Sequence, residues 1–293
     1  MNSRAKRRSR LPLILSFLVA LMPLAAGADV SDLIADGDNS YSQRADGHLG
    51  SRAHPEPIQQ AVDAFTAALE REPDNLEARW KLLRALYFQG EFVLDNDDAR
   101  LALFERGREI SDIGREQIES HYDLPDDSLE MEPQEVAAAI GSDSLAARVY
   151  FWSSTHWGLW GRYRGKIAAA KQGVATKIRK FAEIVILLDD RIENAGGHRV
   201  LGRLHAEAPK IPLVTGWISR DKAISELRRA LELAPEDLLT NLFLAEALLD
   251  FRSEKRQEAL DILQAVATSE PSEAWRVEDT KTIEDAKALL ADL

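Results

Sequence analysis

Among its 293 residues the sequence contains no cysteine. That excludes a disulfide scaffold, a thiol nucleophile, zinc–thiolate and iron–sulfur ligation, and a lipid-anchoring thiol. Positive charge is in deficit: 37 Lys and Arg face 49 Asp and Glu, a formal net charge of −12. Bulk electrostatics therefore oppose a phosphate backbone, and no nucleic-acid partner is expected. Alternating apolar–polar runs of the kind a half-buried strand needs are missing. So are a Gly-x-Ser-x-Gly elbow and a His-Glu-x-x-His pair. No spacing singles out a catalytic pair from the 49 acids, so neither enzymatic activity nor a cofactor is expected. What remains, 45% hydrophobic and 29% charged residues, suits a globular chain with a full core.

The first segment reads as separate from the fold. Arg4, Lys6, Arg7, Arg8 and Arg10 form a basic start, residues 11–24 an apolar run, and Ala26-Gly27-Ala28 a small-residue cleavage site. This is the pattern of a secretory signal peptide cut after Ala28. The apolar run is shorter than the roughly 18 residues a membrane span needs, and no later stretch reaches that length. Removing five bases takes the net charge from −12 to −17. The expected product, residues 29–293, is a single acidic all-helical domain exported to a bacterial periplasm and not lipidated.

Self-similarity organises that domain. Aligned on Ala61, Ala223 and Ala259, the chain repeats Phe65, Leu227 and Leu263 at +4, and Ala68, Ala230 and Val266 at +7. Leu69, Leu231 and Ala267 follow at +8, and Pro73, Pro235 and Pro271 at +12. Offsets 0, 4, 7 and 8 make one helical face, and the proline ends it. The second and third units lie near the roughly 34-residue period of tetratricopeptide repeats. The fold expected is all-α, a tetratricopeptide-like array of helical hairpins. Its repeat-like helices cover about 57–120 and 219–271, and an aromatic-rich helical insert covers about 132–216. Asp74 and Glu77 suggest a capping box, Ser219 a cap and Pro133 a first helical position. A long helix is expected over 166–191, stopped by Gly196-Gly197, with a restart at His198.

The insert gathers Tyr150, Phe151, Trp152, Trp157, Trp160 and Tyr163, six of the chain's 20 aromatic residues. Trp152 and Trp160 share a helical face, with His156 between them. Two readings compete here: a bulky plug joining two halves of the array, or the wall of a cavity. These residues also carry a resemblance. Phe151-Trp152, then Trp157-Gly158-Leu159-Trp160-Gly161, Leu188-Asp189-Asp190, the run Gly196-Gly197-His198-Arg199-Val200-Leu201-Gly202-Arg203-Leu204 and Pro209 resemble the T-component (TatT) family of tetratricopeptide proteins associated with TRAP transporters. The resemblance spans roughly residues 57–270. It implies an all-helical periplasmic protein, commonly a homotrimer, with a pore through each protomer. It also implies a TRAP-system solute-binding protein as partner, and a small organic, acidic or apolar, ligand. Many members look like lipoproteins, and here this chain departs from them.

Candidate ligand or pore-lining residues are therefore Trp152, His156, Trp157, Trp160, Arg162, His198, Arg199 and Arg203. The tryptophans would wall an apolar passage. Arg199 and Arg203, one turn apart, would orient a carboxylate beside amides freed by Gly196 and Gly197. The plainer reading pairs these arginines with acids such as Glu207. His198 and His205 lack a third ligand at useful spacing, and the acid pairs lack the alternation of a calcium loop, so no metal is expected. The alternative function is a general periplasmic scaffold that binds proteins and has no small-molecule site.

Overall fold

A computed structural model describes residues 29–126 and 128–293. The expected signal peptide, residues 1–28, lies outside the described residues. All regular structure among them is helical apart from one isolated bridge, Leu49 to Arg52. No described helix is long and apolar enough to cross a membrane.

The N-terminal part is α1 (Val30–Ser42), α2 (Pro55–Arg71), α3 (Leu76–Phe92) and α4 (Asp97–His121). The insert supplies α5 (Pro133–Ile140), α6 (Ser144–Arg164), α7 (Lys166–Lys171), α8 (Val174–Leu188) and α9 (Ile192–Glu207). The C-terminal hairpins are α10 (Arg220–Leu233) with α11 (Leu238–Phe251), and α12 (Arg256–Thr268) with α13 (Arg276–Ala291). Most successive helices pack on one another along the chain, α5 packs on α8, and α6 bridges α3, α4, α8 and α9.

Local chemistry explains most boundaries. The side chains of Asn75, Asn96, Asp143, Ser219 and Asp237 each accept a backbone N–H of the helix they start. Asn75, not Asp74, is therefore the cap of α3. The repeat positions are the hidden ones: Ala61, Phe65, Ala68, Ala223, Leu227, Ala230, Ala259 and Leu263 are all fully buried. Their small residues let the paired helix approach closely.

Two expectations need correction. The helix expected over 166–191 is two helices, broken where Gly173 turns left-handed at φ 64°. Gly196 and Gly197 do not stop anything. The left-handed residues are Glu193, Asn194 and Ala195, at φ 50°, 56° and 59°, while both glycines lie within α9. Their role is steric. A Cβ on Gly196 would collide with the Phe151 ring, and one on Gly197 would lie 2.8 Å from Ile186.

The array closes on itself. Val277 of α13 joins the core of α1, α2 and α3. Arg44, just past α1, pairs with Glu278 at 2.9 Å and stacks on Tyr41 and Trp275. Ser51 also bonds Glu284. The first hairpin and the last helix are thereby tied, and the remaining helices lie between them.

Candidate functional site

The aromatic insert is built on α6, with α4 on one flank and α8 on the other. Trp157, Trp160 and Trp152 are 1%, 3% and 4% exposed, and His156 is fully buried. The Trp157 and Trp160 rings meet edge to face at 5.8 Å. The Trp157 indole donates to Asp112 at 3.3 Å. His156 donates Nε2–H to the Leu83 carbonyl at 2.8 Å, and its ring fills the space left by Gly107. Trp157, Trp160 and His156 are thus packed among side chains. The reason is the close approach of α4, which Gly107 permits.

Cations cover the outer edge of that pair. Lys177 Nζ lies 3.8 Å from the Trp157 ring centre, and the Arg108 guanidinium 4.7 Å from that of Trp160. Such stacking is worth about 0.5–2 kcal/mol per contact. Desolvation lowers the Lys177 pKa against the pull of Asp112, with Arg108 and Arg115 adding to the lowering.

The other sequence candidates scatter. Arg162 is exposed, pairing with Glu91 at 3.8 Å and lying 5.9 Å from the Tyr163 ring centre. His198 donates to Glu226 at 2.7 Å. Arg203 pairs with Glu207 and Glu246 and lies 4.0 Å from the Phe243 ring centre. Both belong to the packing of α9 against α10 and α11. His205 accepts the Ser219 N–H, so the two α9 histidines do not converge. Among the described residues no group of three His, Asp or Glu side chains could hold a metal ion.

Trp152 and Arg199 are different: they border the interior face of the closed array. The centre of that face is a stripe on α3 that sequence reasoning missed: Trp80, Arg84 and Tyr87, at i, i+4 and i+7. Arg84 stacks 3.8 Å from Tyr41 of α1 and 4.8 Å from Trp80. Its closest carboxylate among described residues is Asp38, at 3.9 Å, and its Nε has no partner. Tyr87 packs on Trp152 at 5.3 Å. Arg148 of α6 lies over Trp80 at 4.9 Å and pairs with Glu193 at 2.9 Å. Arg199 holds the carbonyls of Glu193 and Asn194, each at 3.0 Å.

Tyr87 fixes the geometry of this face. Its side chain keeps accessible surface and its hydroxyl makes no hydrogen bond with any described residue. Yet desolvation drives its pKa far above the ordinary phenol value, and charges from α3, α13 and α9 (Glu91, Glu278 and Arg199) bear on it. The ring is thus partly buried, packed on Trp152 and close to charges from three helices. The Tyr41 phenol is likewise pushed up to about 12 by burial, against Arg44 and Arg84. Aromatic planes, an under-paired guanidinium and a free hydroxyl suit a small organic anion. The signal was present in the sequence as an aromatic–cation alternation at helical spacing, hidden among repeat positions.

The buried histidines set an acid response. Burial lowers the His156 pKa from 6.5 to about 4, with the Leu83 carbonyl opposing, and lowers that of His205 to about 4 as well. Between pH 6.5 and about 4 the unfolded chain therefore binds more protons than the folded one. Stability should fall as pH falls through that window, by up to about 1.4 kcal/mol per unit from His156. Glu278, Asp112 and Glu183, raised by desolvation, oppose this in part. Urea unfolding across that range is expected to show the loss, and His156→Gln a shallower slope. An unchanged slope in the variant would assign the response to other groups.

The fold is an all-α array of helical hairpins with an aromatic cluster at its centre. Comparison with models of known protein families and with curated proteins gives no match.

Proposed function

We propose that this protein is a non-enzymatic accessory component of a TRAP-type transport system in the periplasm. It binds a small organic anion on its interior face and docks a solute-binding protein. The observation that carries the ligand half is the Trp80–Arg84–Tyr87 stripe, where a guanidinium between two rings has, among described residues, only Asp38 as a carboxylate partner, at 3.9 Å. The transport half rests on the sequence resemblance across α6 to α9. Homotrimer formation belongs to the same proposal.

The ligand test is calorimetric titration with a series of monocarboxylates of increasing chain length. Affinity is expected to rise with chain length and to fall roughly 10–100-fold in Arg84→Gln, the cost of a lost charge-assisted bond. Helicity should be unchanged. Equal affinity in the variant, or no binding by any acid in the series, would remove the small-molecule site. The solid packing of Trp157, Trp160 and His156 favours a second reading, a periplasmic protein-binding scaffold with no small-molecule site. That reading predicts no heat with any carboxylate.

A further inference from the structure

Charge and exposed apolar surface gather at one end of the molecule. Between Asp143 and Glu183 the sequence has eight Lys and Arg and no acid, although the whole chain is at −12. Within this stretch α6 ends, α7 projects and α8 begins. Arg164, Lys166 and Lys171 are exposed there, and none of them makes a hydrogen bond or ion pair with a described residue. Ile167 sits among them at 78% exposure.

The loop 208–219 meets the same end. Helices α8 and α9 are consecutive and pack together, so the end of α9 lies beside the start of α8. Arg179 of α8 stacks 4.4 Å from Trp217 of the loop. Thr215 is buried; its hydroxyl accepts the Ile211 N–H at 2.8 Å and donates to the Pro209 carbonyl. This pins the loop and pushes its tip outward. Leu213 is fully exposed at 105%, with φ 66°, and Val214 is half exposed. An apolar residue held in the left-handed region with no packing return is a cost that a surface loop need not carry. Lys210, also exposed and unpaired, flanks the tip.

We propose that this end, α7 with the loop 208–219, docks on an anionic lipid surface. Two convex apolar tips, Ile167 and Leu213 with Val214, would enter the headgroup boundary. Arg164, Lys166, Lys171 and Lys210 would meet lipid phosphates, their stems lying along the acyl boundary. Charge complementarity selects this occupant. The unpaired cations sit at the apolar tips, and repulsion of the acidic remainder orients that end toward an anionic bilayer. The tips protrude, and the open hollow beside Ile167 is rimmed by Arg164, Lys166 and Lys171, cations that suit lipid phosphates better than the apolar face of a protein helix. The inference is independent of the ligand and transport proposals.

The chain's lack of cysteine allows a site-specific test. Leu213→Cys, Ile167→Cys and, at the opposite end of α6, Leu145→Cys are made in the full chain, each labelled with a polarity-sensitive dye. Each is mixed with phosphatidylcholine vesicles with and without phosphatidylglycerol. The expected result is a blue shift at positions 213 and 167 only when phosphatidylglycerol is present, and none at 145. Adding Lys166→Glu and Lys171→Glu should raise the lipid concentration needed by roughly tenfold or more. Labels at 167 and 213 that stay in water overturn the proposal, whether the chain fails to bind or binds through residues 1–28. So does an insensitive response to the charge reversals, which would point to an apolar protein contact at this end.

Discussion

Trp157→Ala is expected to lower the unfolding free energy by about 3–5 kcal/mol, the range for truncating a fully buried large aromatic residue. Trp157 is 1% exposed, and its ring is wedged against Trp160 with Lys177 on it. Truncation removes the packing, strips Asp112 of its indole donor and leaves half-buried Lys177 without its ring. Each of those groups is already poorly solvated, so the loss adds to the cavity. Denaturant titration followed by circular dichroism would measure it, with Arg162→Ala as a surface reference expected within about 0.5 kcal/mol of wild type. A cost below about 1 kcal/mol for Trp157→Ala would mean that the ring faces open space after all, since only an unpacked side chain is so cheaply removed. The two readings of the insert differ in this number before any ligand is known.

The sequence disclosed the scaffold through short-range rules. Ala61, Ala223 and Ala259 with their +4 and +7 partners announce paired helices because helix faces repeat every three to four residues. Ser219 and Pro133 mark helix starts for equally local reasons. The aromatic stripe of α6 was also plain, but not what it meets. That depends on Leu83, 73 positions from His156, and on Gly107, whose missing Cβ admits the histidine ring. Periodicity says which residues share a face and is silent on which neighbour that face finds. The interior stripe was missed for the same reason. Trp80, Arg84 and Tyr87 matter only because α1, α6, α9 and α13 surround them, and closure depends on Arg44 reaching Glu278 across 234 positions. The left-handed turn was misplaced onto Gly196 and Gly197 because glycine is the ordinary occupant of that region. Here the glycines serve contact with Phe151 and Ile186, and Glu193, Asn194 and Ala195 take the strain.

That turn supports the second large effect: Arg199→Ala is expected to cost about 3 kcal/mol, near the range for breaking a buried ion pair. Three consecutive non-glycine residues in the left-handed region cost about 1–2 kcal/mol each, so something must hold them. The Arg199 guanidinium does so from both sides. It takes the Glu193 and Asn194 carbonyls at 3.0 Å and the Asp237 carboxylate at 3.4 Å. Without it the turn can relax toward right-handed helix, swinging Glu193 off Arg148 and freeing Arg148 from the Trp80 ring. Arg199→Lys should recover less than half, because one ammonium cannot span two carbonyls and a carboxylate. Hydrogen exchange should rise locally over residues 189–196 before global unfolding. A double-mutant cycle of Arg199→Ala with Arg148→Ala should show coupling above about 1 kcal/mol, although these two cations share Glu193 and not each other. Additive losses would show that the turn is held by α9 packing alone and that the interior face does not depend on it.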